Sequence, residues 1–223
     1  RRTMKMFIVV GILFLGSGAF AQHEFQTWLK TGVEGGIVKK LDWSFELNSR
    51  FGSSGLETFF PQAGIEYKVK RWFRPSIEYR YILDKDRYGN YGAGHRINFN
   101  ASFKKRVERL DLGLRLRYQY AFSRLGDAQE YDSDFDQAIR TKLSASYDID
   151  NSMFSPLLSG ELFYDPSYGP KGPGFKKIRL AIGTSLELKG PHKVSIKYQL
   201  DKKLNDFGAN LRHVLGLSYS YKL

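Results

Sequence analysis

Apolar and polar residues alternate with a period of two along almost the whole chain. The stretch Arg109–Phe122, RLDLGLRLRYQYAF, shows it most fully. Leu110, Leu112, Leu114, Leu116, Tyr118, Tyr120 and Phe122 fall on one face, and Asp111, Gly113, Arg115, Arg117, Gln119 and Ala121 on the other. A period of two is the signature of a β-strand with one apolar and one charged face. The run is about twice the usual strand length of soluble proteins. At roughly 3.3 Å per residue a tilted strand of this length crosses a bilayer.

The same alternation repeats along the chain. Leu41, Trp43, Phe45, Leu47 and Phe51 oppose Asp42, Ser44, Glu46, Asn48 and Arg50, and Ala63, Ile65, Tyr67 and Val69 oppose Gln62, Glu66, Lys68 and Lys70. Further runs follow from Phe73 to Leu83, from Arg96 to Lys104 and from Ile139 to Tyr147. Phe154 to Tyr164, Ile178 to Leu188, Val194 to Leu200 and Leu211 to Leu223 complete the set. No helical period competes, and nothing marks an internal domain boundary. Residues 41–223 therefore read as a single all-β domain, a transmembrane antiparallel up-and-down β-barrel. Ten strands satisfy the even parity of bacterial single-chain barrels, with twelve as the alternative. Residues 22–40 form an amphipathic N-terminal segment whose Thr27–Val38 portion is a candidate extra strand.

A soluble barrel buries its apolar face inside, whereas a membrane barrel turns it out to lipid. Strand length favours the membrane form, and so do the connections. Short ones are expected around Lys39-Lys40, Lys70-Arg71, Arg106-Val107, Asp150-Asn151 and Gly190-Pro191. Long ones are expected at Gly52–Thr58, Asp84–Gly94, Ser123–Asp136, Asp165–Phe175 and Asp201–Asn210. The aromatic residues on the apolar face then form two girdles. Trp43, Tyr67, Phe73 and Phe103, with Tyr147 and Phe154, lie beside the short turns. Tyr79, Tyr81, Tyr118, Tyr120, Tyr164 and Tyr198, with Phe51 and Phe122, lie towards the long loops. Amphipathic rings are favoured at both headgroup levels of a bilayer. The last strand carries Gly216, Tyr219 and Tyr221 in the glycine-x-x-aromatic-x-aromatic spacing of a barrel assembly signal.

The N-terminus adds an export address. Arg1, Arg2 and Lys5 precede an apolar core from Met6 to Leu15, and Ala19-Phe20-Ala21 supplies a small-x-small cleavage site. Residues 1–21 are thus expected to be a cleaved signal peptide, because the apolar run falls short of the ~20 residues that span a membrane. The expected location is the bacterial outer membrane, with lipid, lipopolysaccharide and the barrel-assembly machinery as partners; no protein partner is indicated.

Composition changes this picture little. There is no Cys, so disulfides, thiol nucleophiles and cysteine metal sites are excluded. The net charge is +12, and removing the three basic signal residues leaves +9. These cations lie one per alternate position on successive strands rather than in a single patch, which argues against nucleic acid as a partner.

At this point the residues resemble a known family. Trp28 ahead of the KKLDWSFELNSRF strand, HRINFNASF from His95, LRLRYQY from Leu114 and the closing RHVLGLSYSYKL from Arg212 are similar to the outer-membrane family called domain of unknown function 2490. The resemblance covers nearly all of the mature chain. It implies a bacterial outer-membrane barrel and brings no catalytic residues with it.

Candidate chemistry is sparse. His95 and His213 stand at the loop ends of strands, with Ser123 and Asp127 in nearby loops, and are the candidates for a rim lipid hydrolase or acyltransferase. Their parity sets them among lipid headgroups, so an interfacial role is expected and no catalytic residue is assigned. In the loop GDAQEYDSDFD, Asp132, Asp134 and Asp136 are candidates for a divalent cation, but the Gly and distal Glu of a calcium loop are missing. No metal and no cofactor is therefore expected. The strongest signal is the charged face itself. Glu46, Arg50, Glu66, Lys68, Arg74, Glu78, Arg80, Arg115, Arg117, Arg140, Glu161, Arg179 and Glu187 would all point into the lumen, with few glycines to relieve the crowding. Confined charges must pair or stay hydrated. A structural Glu–Arg network filling the interior is the first expectation, in a protein of structural or interaction role. A narrow anion-preferring channel is the second and a rim lipid enzyme the third.

Overall fold

A computed structural model describes residues 23–86, 88–122, 137–166, 172–188, 190–204 and 211–223. Among these residues every regular element is a β-strand, and the strands close on themselves into one barrel. In chain order they are β1 His23–Val38, β2 Leu41–Gly52, β3 Gly55–Tyr67, β4 Phe73–Lys85, β5 Tyr91–Val107, β6 Leu110–Phe122, β7 Gln137–Tyr147, β8 Phe154–Asp165, β9 Gly174–Glu187, β10 His192–Lys203 and β11 Leu211–Lys222. Strand lengths run from 11 to 17 residues.

Among the described residues the count is eleven, not the expected ten, and the added strand is the N-terminal segment. β1 pairs antiparallel with β2 along one edge and parallel with β11 along the other, from His23↔Leu211 to Glu34↔Lys222. An up-and-down chain with an odd number of strands has its first and last strands running the same way, so its closing pair must be parallel. The even-parity expectation fails because the N-terminal segment pairs along both of its edges, so the barrel closes through β1 rather than directly between β2 and β11. The seam is also tied by side chains: Arg212 Nε donates to Glu24 at 2.9 Å, and the Leu223 amide donates to the Glu34 carbonyl at 2.8 Å.

The hairpins follow from local chemistry. The β2–β3 connection is a tight Ser53-Ser54 turn released by Gly55 at φ +83°, where only glycine sits without strain. It is not the longer Gly52–Thr58 loop expected from the sequence. β4 and β5 likewise extend into the expected Asp84–Gly94 loop and leave only residues 86–90 between them. There Asp86 accepts hydrogen bonds from the Tyr88 and Asn90 amides. These hydrogen bonds, the one from Asn90 foremost, hold its carboxyl below the ordinary aspartate range. The β5–β6 turn falls at Glu108-Arg109, two residues beyond the expected position, with Glu108 at φ +53°.

Faces divide as the alternation requires. Leu143, Ile182, Leu158 and Leu180 point outward and are 52–62% exposed, whereas inward Arg117 and Gln119 are 4% and 2% exposed. The barrel is an inverted protein: its polar side chains form the core and its apolar side chains the surface.

Candidate functional site: the charged lumen

The inward positions of β3 to β10 build a polar core in the half of the barrel towards the β2–β3, β4–β5 and β8–β9 connections (the loop end). Glu78 on β4 takes two contacts of 2.9 Å from Arg117 Nη2 on β6, one to each carboxylate oxygen, and further donors from Asn98 and Asn100 on β5 at 3.1 Å each. Arg117 Nε is held in turn by Asn100 Oδ1 at 2.5 Å. Glu161 on β8 is the second hub. Arg140 grips it through Nε and Nη2 at 3.1 and 3.0 Å, Arg115 donates at 2.9 Å, and Arg179 stands 3.7 Å away. Arg179 also binds both oxygens of Asp201 on β10, at 2.8 and 2.6 Å. Each carboxylate thus meets guanidinium groups from other strands, with side-chain amides joining at Glu78 and Asp201, the geometry in which buried charge is tolerated.

Three inward rings share this core. The guanidinium of Arg50 lies 4.2 Å above Trp28 and 5.1 Å from Phe60, and Arg80 lies 4.8 Å from Phe60. Around Phe163 gather Arg140 and Lys177 at 4.4 Å and Arg179 at 5.2 Å. Cation–π contacts of this kind bring roughly 0.5–2 kcal/mol each, and the rings fill space that carboxylates do not.

Towards the other end, where the short β1–β2, β5–β6 and β9–β10 turns lie, the interior opens. Gly32, Gly64, Gly113, Gly183 and Gly216 face into the lumen, as the polar neighbours of their missing side chains show. The expectation of few lumenal glycines is corrected: five inward positions on five strands carry no side chain. A cavity of about 550 Å³ results, lined by Ser144, Ser159, Ser195 and Ser218 among others. Ser144 faces inward yet is exposed, and Lys193 is half exposed, so the cavity opens at the short-turn end. At the loop end Lys177, Asp201, Arg96 and Phe163 are at most 6% exposed. The lumen is a vestibule, open on one side and filled on the other.

The sequence-derived charged residues separate into two groups. Glu46, Arg50, Glu78, Arg80, Arg115, Arg117, Arg140, Glu161 and Arg179 line the cavity or its floor. Glu66 instead pairs with Arg74 at 3.4 Å, Lys68 with Asp42 at 2.5 Å, and Glu187 with Lys193 at 3.3 Å, all as partly exposed pairs near the short-turn rim. Arg96, Lys142, Lys177 and Lys197 belong with the first group. Phe60 and Phe163 were legible too, since they share parity with Gln62 and Glu161, but each stands next to a second aromatic that takes the outward position.

On the outer face, Phe73 stacks on Phe103 at 5.0 Å between ring centroids, and Trp72 joins them at 6.1 Å from Phe103. Tyr67, Tyr79, Tyr81, Tyr118 and Tyr198 are exposed there, with Trp43, Tyr120 and Tyr164 partly so. His95 Nδ1 contacts the Tyr79 hydroxyl at 2.7 Å, and its ring stacks on Phe122. His213 does the same with the Tyr198 hydroxyl at 2.5 Å and stacks on Phe25. The two histidines sit in separate aromatic clusters. Ser123 and Asp127, their candidate companions, lie outside the described residues, as do residues 1–21 and Asp132, Asp134 and Asp136. In β11, Gly216 faces the lumen and Tyr219 the outside, where its hydroxyl meets His192 at 2.8 Å.

Compared with known proteins, residues 25–210 match the family model described as protein of unknown function DUF2490. The chain belongs to this family. The match starts within β1, runs through β2 to β10 and ends immediately before β11. No match is found among curated proteins.

Proposed function

We propose that this protein is a bacterial outer-membrane β-barrel of structural or interaction role, exported through a cleaved signal at residues 1–21, whose lumen is plugged by its own charges. One observation carries the proposal: large aliphatic residues are exposed all around the outside while arginines and glutamates are buried within. In water such a surface would be a severe liability, since soluble monomers rarely expose apolar patches above a few hundred Å². In a bilayer the same surface is matched to lipid tails, and the outer rings fall where headgroups lie. Lipid and lipopolysaccharide are then the immediate neighbours, and the barrel-assembly machinery the partner during insertion.

The narrow anion-preferring channel remains the second reading, supported by the excess of cations around the cavity. The plug of Arg117–Glu78 and Arg140–Glu161 stands against free passage. As for lipid chemistry, both outward histidines are engaged with tyrosine hydroxyls and rings, which suits interfacial anchors better than general bases. Expressed in a Gram-negative host, the protein should fractionate with outer membranes, and folded and boiled samples should differ in gel mobility. Recovery in a soluble periplasmic extract would refute the proposal.

A further inference from the structure

The vestibule holds a charge imbalance that the plug does not resolve. Twelve Lys and Arg residues line the cavity against three carboxylates, Glu46, Glu78 and Glu161, with Asp201 and Glu187 joining them through Arg179 and Lys193. Two of those cations stand out. Lys142 on β7 and Lys197 on β10 both reach the cavity, and among the described residues neither ammonium group has a hydrogen-bond or ion-pair partner. They share one electrostatic neighbourhood with each other, Arg115, Arg179 and Glu161. Arg115 spends Nη2 on Glu161, but its Nε is buried with no hydrogen-bond partner among the described residues.

Local structure makes room for this cluster. Lys197 lies between two inward glycines on the flanking strands, Gly183 and Gly216. A side chain at Gly216 would put its Cβ 3.0 Å from Lys197 Cγ and Cε, so the absence of one there leaves the lysine its path across the wall. One inward position nearer the opening, Ser144 and Ser195 add hydroxyls, and Ser195 Oγ lies 2.5 Å from Ser218 Oγ. Two ammonium groups, a guanidinium Nε and hydroxyl donors around an open cavity are the donor set of an oxyanion site.

We propose that Lys142, Lys197 and Arg115 bind a small phosphate-type oxyanion that reaches them from the short-turn end of the barrel. The site rests on the plugged-lumen reading for its floor, but binding is measured in detergent and is independent of both membrane location and conductance. Its chemistry would suit inorganic phosphate, pyrophosphate or the phosphate of a small metabolite.

The most direct test uses the unmodified, folded protein. Lysines are acetylated with limiting acetic anhydride, at matched ionic strength in sodium chloride or in chloride plus inorganic phosphate or pyrophosphate, and the products are mapped by mass spectrometry. Lys142 and Lys197 should be modified in chloride and protected at least fivefold by millimolar phosphate or pyrophosphate, while Lys39 and Lys40 should be unaffected. Calorimetric titration should show pyrophosphate binding that weakens tenfold or more in Lys142→Gln with Lys197→Gln, and less than threefold in Lys193→Gln. Absence of protection, or equal protection of the turn lysines, would overturn the site. So would short-chain phosphatidic acid protecting where the free anions do not, since that would place the phosphate preference on the lipid face.

Discussion

Trp28 on the first strand and Gly216 on the last stand opposite each other in a parallel register. This pairing closes the barrel, and it brings the strands among the described residues to eleven. A chain without cysteine allows it to be tested cleanly. Leu29 and Leu217 are register partners across the seam, both on the outer face. Leu29→Cys with Leu217→Cys should therefore form an intrachain cross-link under mild oxidation. Leu47→Cys with Leu217→Cys should not, because β1 stands between them. The opposite outcome would mean that β2 and β11 close a ten-stranded barrel with the first segment displaced.

Glu161 is the hub of the plug. Its side chain is 3% exposed and faces Arg115, Arg140 and Arg179. Removing one partner of a buried charge cluster leaves the others uncompensated, at a cost of roughly 3–5 kcal/mol. Glu161→Gln should therefore lower the urea midpoint of the folded barrel sharply, followed by gel mobility. Glu187→Gln breaks only the exposed Lys193 pair and should cost under about 1 kcal/mol. Equal shifts in the two variants would show that the network is ornamental.

The two faces also differ in what they tolerate. Leu143 is 62% exposed on the outer face midway along β7, and its neighbour Lys142 points inward. On the proposed membrane placement, Leu143→Arg puts a charge into hydrocarbon at about 2–4 kcal/mol near the midplane, whereas Lys142→Leu only removes one from the vestibule. Assembly yield into liposomes should fall for the first and hold for the second. Similar yields would mean that the outer face is not in lipid.

Much of this architecture was legible in the sequence. Alternation assigned the inward and outward faces, because period two leaves a strand only two sides. Closure was harder, since it depends on which edges find partners, and an even-number rule displaced the Thr27–Val38 segment although its residues pair on both sides. The vestibule was hidden for a similar reason. Gly32, Gly64, Gly113, Gly183 and Gly216 lie on five different strands, and only the closed sheet turns them into one lumen. The inward rings of Phe60 and Phe163 were masked by Phe59 and Tyr164 beside them. Charge signs were readable, but not the pairing that set Glu66 and Glu187 at the rim and Glu78 and Glu161 at the centre.

The central claim is that fixed charges close a barrel that would otherwise conduct. Eight-stranded barrels are just filled by side chains, whereas barrels of about 16 strands keep a water channel, so eleven strands need their interior occupied to stay shut. Conductance of the purified protein in a planar bilayer measures this directly. The unmodified barrel should show little or no steady current, and Arg117→Ser with Arg140→Ser should open an anion-selective leak. Large, stable, cation-selective openings in the unmodified protein would contradict both the plug and the sign of its field.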